Sequence, residues 1–185
     1  MCKIKEVCEP HERRKAINDI LHFERNPSSV RIVTYSFTDP ISHDIIRSFG
    51  SENIEDFKTI ISRLCAKRER VITLIVNHKQ IGEDSEDILK FMFNLGVNIY
   101  YNSNVHAKII FAKCKDENSI YLTSSNITNA GVNKRFEIGV ILSSGNNAFK
   151  SIDTYIDKII GTSMPEDGKF DIFNFLNKRI EQEEN

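Results

Sequence analysis

The sequence predicts an α/β domain, a mixed β-sheet flanked by helices on both faces. Two kinds of pattern carry that expectation. VRIVTYSF (30–37) and VITLIVN (71–77) are rich in β-branched residues, and the second is apolar almost throughout, as in a strand covered on both sides. Between such runs, apolar residues recur at three- and four-residue spacing, the period of a helix face. Strands alternate with helices early and cluster later, which gives a sheet of mixed strand direction.

Taken in order, a helix is expected over 10–23, with Ala16, Ile17, Ile20 and Leu21 inward. Asn26 and Pro27 break the chain before the strand at 30–37. Asp39 and Pro40 start a helix whose apolar residues are Ile41, Ile45, Ile46 and Phe49, with Gly50 as its stop. A longer helix follows over 54–67, burying Phe57, Ile60, Ile61 and Leu64. After the strand at 71–77, a helix over 85–95 has Ile88, Leu89, Met92 and Phe93 as one stripe, closed by Gly96. Strands are then expected over 97–101, 105–112, 119–123 and 136–142, and a helix over 147–160. The tail from Pro165 carries one more helix, marked by Phe170, Phe173 and Leu176. No internal repeat or low-complexity stretch interrupts this order.

The 185 residues fit one domain, with a core at about 30–160, an N-terminal helix and a C-terminal helical tail. With 40% hydrophobic and 28% charged residues the composition is that of a globular chain. No apolar run suffices to span a bilayer, so no membrane partner is expected. The basic N-terminus has no apolar stretch behind it, which argues against export and for the cytoplasm. Cys2, Cys8, Cys65 and Cys114 form no CxxC pair and read as reduced thiols, with no metal site among them. A net charge of −1 gives no global attraction to nucleic acid, so any attraction must come from local clusters. Two candidates are Arg13-Arg14-Lys15 and the set Arg63, Lys67, Arg68 and Arg70; the alternative is that both are solvated helix faces.

The segment NVHAKIIFAKCKDENSIYLTSSNITNAGVNKRFEIGV (104–140) carries the chemistry. His106 and Lys108 lie two apart in an expected strand, so both side chains leave one face. A lysine in a largely buried setting costs several kcal/mol unless an anion compensates it, and a bound phosphate would. Ser124, Ser125 and Asn126 follow the strand SIYLT, where the Asn126 amide could donate to a phosphate oxygen. Glu137 opens the next expected strand, where its carboxylate could accept from a histidine ring nitrogen and make the other nitrogen a better nucleophile. Ser124 reads equally as turn chemistry, and Glu137 as a surface carboxylate paired with Lys134 or Arg135. His11, His22, His43 and His78 have no partners at ligand spacing, and Tyr35, Ser36 and Thr38 read as core and cap residues that could also line a pocket.

His106-Ala107-Lys108, Thr123-Ser124-Ser125-Asn126 and Phe136-Glu137-Ile138-Gly139 together resemble the HxK…GSxN motif and downstream acid of the phospholipase D superfamily. TSSNITNAGVNKRFEIGV is similar to its nuclease branch, that of Nuc-type endonucleases and BfiI-type metal-independent restriction endonucleases. The likeness spans about 30–160. It implies a phosphodiesterase in which His106 is the nucleophile, Lys108, Ser124 and Asn126 hold the phosphate, and Glu137 completes the set, with no metal and no cofactor. One HxK copy implies a homodimer that brings two histidines to one phosphorus. Two positions depart from the pattern. Lys113 stands where the superfamily's HxKx4D aspartate would be, and Thr123 replaces the GSxN glycine. The first change points away from the lipases; the second alters how closely backbone approaches a phosphate.

The resulting expectation is an endonuclease cutting DNA, or RNA, through a phosphohistidine. A phospholipid or cardiolipin hydrolase of the same chemistry is one alternative, for which the sequence lacks an amphipathic anchor. A catalytically silent dimeric nucleic-acid-binding module is the other, though such a module has no need of the histidine.

Overall fold

The computed structural model describes residues 2–42, 44, 46, 54–145 and 149–166. The chain runs β1 (Lys3–Val7), α1 (Pro10–Leu21), β2 (Ser29–Thr34), α2 (Phe57–Cys65), β3 (Val71–Val76), α3 (Glu86–Asn94), β4 (Asn98–Tyr101), β5 (Ile109–Lys113), β6 (Glu117–Thr123), α4 (Asn129–Asn133), β7 (Gly139–Gly145), α5 (Lys150–Gly161) and β8 (Met164–Pro165). Among the described residues these strands form one eight-stranded sheet in the order β1-β7-β6-β5-β2-β3-β4-β8. The β2–β3 and β3–β4 pairs are parallel, each closed by a crossover that contains a helix. The other pairs are antiparallel, so the sheet is mixed as the strand clustering predicts.

Alternation along the central strands divides the core into two layers. Val30, Ile32, Ile72, Leu74, Ile110 and Ala112 point to one face, where Ile17, Ile20 and Leu21 of α1, Ile60, Ile61 and Leu64 of α2 and Ile88, Leu89 and Met92 of α3 cover them. Val33, Ile75, Ile109, Phe111 and Ile120 point to the other, against Ile156 of α5. Most of both faces of β2, β3 and β5 is therefore covered, which accounts for their largely apolar sequence; Arg31 of β2 instead reaches Asp153 and Asp157 of α5.

Several expected boundaries move. The strand expected over 105–112 is β5, starting at Ile109, and that over 136–142 is β7, starting at Gly139. His106, Lys108 and Glu137 thus lie just outside strands. Three elements have no counterpart in the sequence reading: β1, β8 and the one-turn α4. β1 is an edge strand with four exposed residues, KIKE, so it lacks the in-out alternation that marks a half-buried strand. Phe93, expected in the α3 stripe, is 44% exposed. The helix expected after Pro40 falls largely outside the described residues, as do His43, the start of the helix expected at 147 and the tail helix with Phe170, Phe173 and Leu176.

Candidate active site

All five candidate residues collect at one end of the sheet. β2 and β3 finish there at Thr34 and Val76, β6 finishes at Thr123, and β5 and β7 begin at Ile109 and Gly139. The segment entering β5 keeps the alternation of the strand: Val105 and Ala107 pack on the α5 side while His106 and Lys108 turn the other way. Their side chains meet, with Lys108 Nζ 3.3 Å from His106 Nδ1. Tyr35, the first residue after β2, touches both. Its ring centroid is 4.7 Å from that of His106, and Lys108 Nζ lies 5.7 Å above it.

His106 is exposed and Lys108 only half-buried, in place of the largely buried lysine expected. The reason is the boundary shift: the pair precedes β5, so no helix among the described residues covers it. With the ammonium donating, Nδ1 is an acceptor, and a neutral ring then carries its proton on Nε2.

The TSSN loop is fixed by backbone pairing. Thr123 N donates to Lys108 O at 3.2 Å, and Ser124 N to Ile138 O at 2.9 Å, tying the loop to both neighbouring segments. Ile127 N donates to Thr34 Oγ1 at 3.1 Å, fastening it to the end of β2. A Cβ on Gly131 would lie 2.4 Å from Asn126 O and 2.5 Å from Ser125 Oγ, so only glycine lets α4 pack this closely beneath the loop. Asn126 Oδ1 is buried with no hydrogen-bond partner among the described residues. An orphaned amide end at such a site costs about 1–3 kcal/mol unless something enters to pair with it.

Among the described residues, Glu137 has no hydrogen bond to the imidazole of its own chain. Its carboxylate accepts from Ser124 Oγ, which also receives Ile138 N at 3.1 Å. Nor does it pair with Lys134 or Arg135. Ser124, whose role the sequence left open, is therefore the residue that joins the loop to the acid.

Three residues play parts other than those first expected of them. Tyr35 read first as a core or cap residue and second as a pocket residue at the end of the strand; it stands against both His106 and Lys108. Arg13 and Arg14 read, with Lys15, as a local basic cluster or a solvated helix face, yet they are only 1% and 3% exposed. Arg13 donates to the carbonyls of Val132, Arg135 and Glu137 at 2.9, 2.8 and 3.1 Å, and to that of Cys8. Arg14 donates to Asn133 Oδ1 at 2.9 Å. These arginines hold the segment that ends in Glu137. Their signal was available, since Arg13 lies four and seven residues before the apolar Ile17 and Ile20, on the inward face of α1. The other basic set lies at the opposite end of the sheet, where Lys67 and Arg70 clasp Asn26 Oδ1, each at 2.9 Å.

The family described as "cardiolipin synthase, PLD-like domain", where PLD is phospholipase D, matches residues 12–160. No curated protein matches the chain. Among solved structures, Nuc from Salmonella typhimurium, a phospholipase D family member, superposes with a TM-score of 0.64 at 18% identity, covering 89% of this chain and 98% of that one. NucT from Helicobacter pylori gives 0.62 at 16% identity, over 89% of this chain and 99% of that one. Polyphosphate kinase from Porphyromonas gingivalis gives 0.54 at 16% identity, over 86% of this chain but 24% of that one. At such identities the structural likeness establishes the fold; the match to the family, over most of the chain, establishes membership. The chain belongs to the phospholipase D-like phosphodiesterase superfamily.

Proposed function

We propose that this protein is a metal-independent nuclease that cleaves a phosphodiester through a phosphohistidine on His106, in a site shared by two copies of the chain. The observation that carries the reading is the juxtaposition of an exposed imidazole, an ammonium 3.3 Å from it and the TSSN loop, tied to the same segment by Thr123 N donating to Lys108 O.

In the first step the Nε2 lone pair of His106 attacks phosphorus and the bond to the leaving oxygen breaks. That oxygen takes a proton from the partner's His106. In the second step water attacks the phosphorus, the P–N bond breaks, and the water's proton passes to the same histidine that acted as acid. Lys108 and the Asn126 amide stabilise the negative charge on the pentacoordinate phosphorus. Attack through Nε2 requires that nitrogen to be unprotonated, so the Lys108–Nδ1 contact is a resting arrangement. An incoming phosphate draws the ammonium onto its oxygens and releases Nδ1 to carry the ring proton.

Nucleic acid is the favoured substrate because TSSNITNAGVNKRFEIGV is similar to the nuclease branch, and because Nuc and NucT share the fold. The test is cleavage of labelled DNA and RNA by purified protein in excess EDTA, with quenching in alkaline detergent to trap the adduct. Cleavage persists and the label maps to His106, in an acid-labile, base-stable form. Loss in EDTA with full rescue by magnesium, or an adduct elsewhere, contradicts the mechanism. His106→Ala loses several orders of magnitude in turnover.

A further inference from the structure

The segment Lys134-Arg135-Phe136, immediately before Glu137, is fastened at its backbone and free at its side chains. Arg13 grips the carbonyls of Val132, Arg135 and Glu137, and the amides of Lys134 and Arg135 both donate to Ala130 O, at 3.0 and 3.1 Å. Asn133 Nδ2 donates to Pro40 O at 3.0 Å, fixing the base of the same loop. The side chains that follow are all exposed. Phe136 is 107% exposed, and Ile138, beyond the acid, 60%. Lys134 and Arg135 have no ion-pair partner among the described residues.

A fully exposed phenyl on a loop held by a buried arginine is not explained by the packing of one chain. Two cations with no ion-pair partner among the described residues precede it, and the Glu137 carboxylate that follows already accepts from Ser124. The surface is therefore cationic and aromatic at once, which suits a strand whose phosphates and unstacked bases are both accessible. A second copy of the chain laid over Phe136 would have to bury Lys134 and Arg135 without counter-ions from this loop, whereas a nucleic-acid strand supplies a phosphate to each.

We infer that Lys134, Arg135 and Phe136 form a rigid finger that binds single-stranded nucleic acid beside the active site, the cations on phosphates and the phenyl stacked on one base. The inference rests on the nuclease reading for its substrate class and adds to it a preference for unpaired strands. In a duplex the bases are stacked on one another and offer the phenyl no free face.

The test measures binding of a fluorescent twelve-residue oligothymidylate by anisotropy, in a His106→Ala background so that the strand is not cut. Phe136→Ala weakens binding by roughly five- to a hundredfold, and Phe136→Trp restores it. Changing both Lys134 and Arg135 to Ala lowers the slope of log affinity against log salt by about 1.4, two phosphates at about 0.7 each. A duplex of equal length binds more weakly than the single strand and is indifferent to Phe136. Absence of strand binding, equal affinity for duplex, or a neutral Phe136→Ala overturns the inference. So does a shift from dimer to monomer in sedimentation of Phe136→Ala, or Phe136-dependent binding to cardiolipin vesicles without an effect on the strand. The two readings separate cleanly. Cleavage with a neutral Phe136 leaves the nuclease and removes the finger; Phe136-dependent binding without cleavage in otherwise wild-type protein does the reverse.

Discussion

At the scale of the residue, the site depends on close contacts that leave little room for change. Tyr35 supports both His106 and Lys108, and Gly131 allows α4 to lie under the TSSN loop. Gly131→Ala is expected to destabilise the fold by about 1–3 kcal/mol, as overpacking does, and to displace Asn126. Thermal melting together with kcat checks this, and an alanine variant with unchanged stability and turnover contradicts the packing argument. Glu137→Gln should reduce activity less than Glu137→Ala, since the amide oxygen can still accept from Ser124 Oγ and keep the loop in place. Equal losses in the two variants would mean that Glu137 acts through its charge alone. The identities of these residues could be read in the sequence because HxK, SxN and a downstream acid are spaced along consecutive segments. Their contacts could not, since which atom Ser124 or Lys108 meets depends on where the strands begin.

At the scale of the element, α1 does more than cover the sheet. Its inward face carries Arg13 and Arg14 beside Ile17, Ile20 and Leu21, so its position and that of the loop ending in Glu137 are linked. The start of α1 is held by Glu12, whose carboxylate accepts the backbone N–H groups of Cys8 and Glu9 at 3.0 Å each. The bonds to Glu9 and Cys8 lower its pKa below the ordinary 4.5. A carboxylate lowered on folding stabilises fully above its unfolded value, and that contribution is lost as pH falls through the folded value. The melting temperature of wild type should therefore exceed that of Glu12→Gln near neutral pH, and the gap should close as pH falls below 4.5. A gap that is constant with pH would show that the charge of Glu12 is immaterial. The helices and central strands were legible because each buries a continuous stripe or two apolar faces. β1 was not, because an edge strand with lysines outward has the pattern of a solvated tail.

At the scale of the whole molecule, the account requires a partner. One chain supplies one His106, whereas attack and protonation at one phosphorus need two imidazoles. The sheet's edges do not invite pairing: β1 presents Lys3 and Lys5, and β8 has two residues. The strand ends at Thr34, Thr123 and Gly139, where His106 is exposed and Lys108 half-buried, are the surface on which a two-fold axis would unite two sites. The most direct measurement mixes wild-type chains with His106→Ala chains under conditions of verified subunit exchange. Heterodimers then hold one histidine per pocket, and nuclease activity should fall as the square of the wild-type fraction; a linear fall would show that each chain works alone.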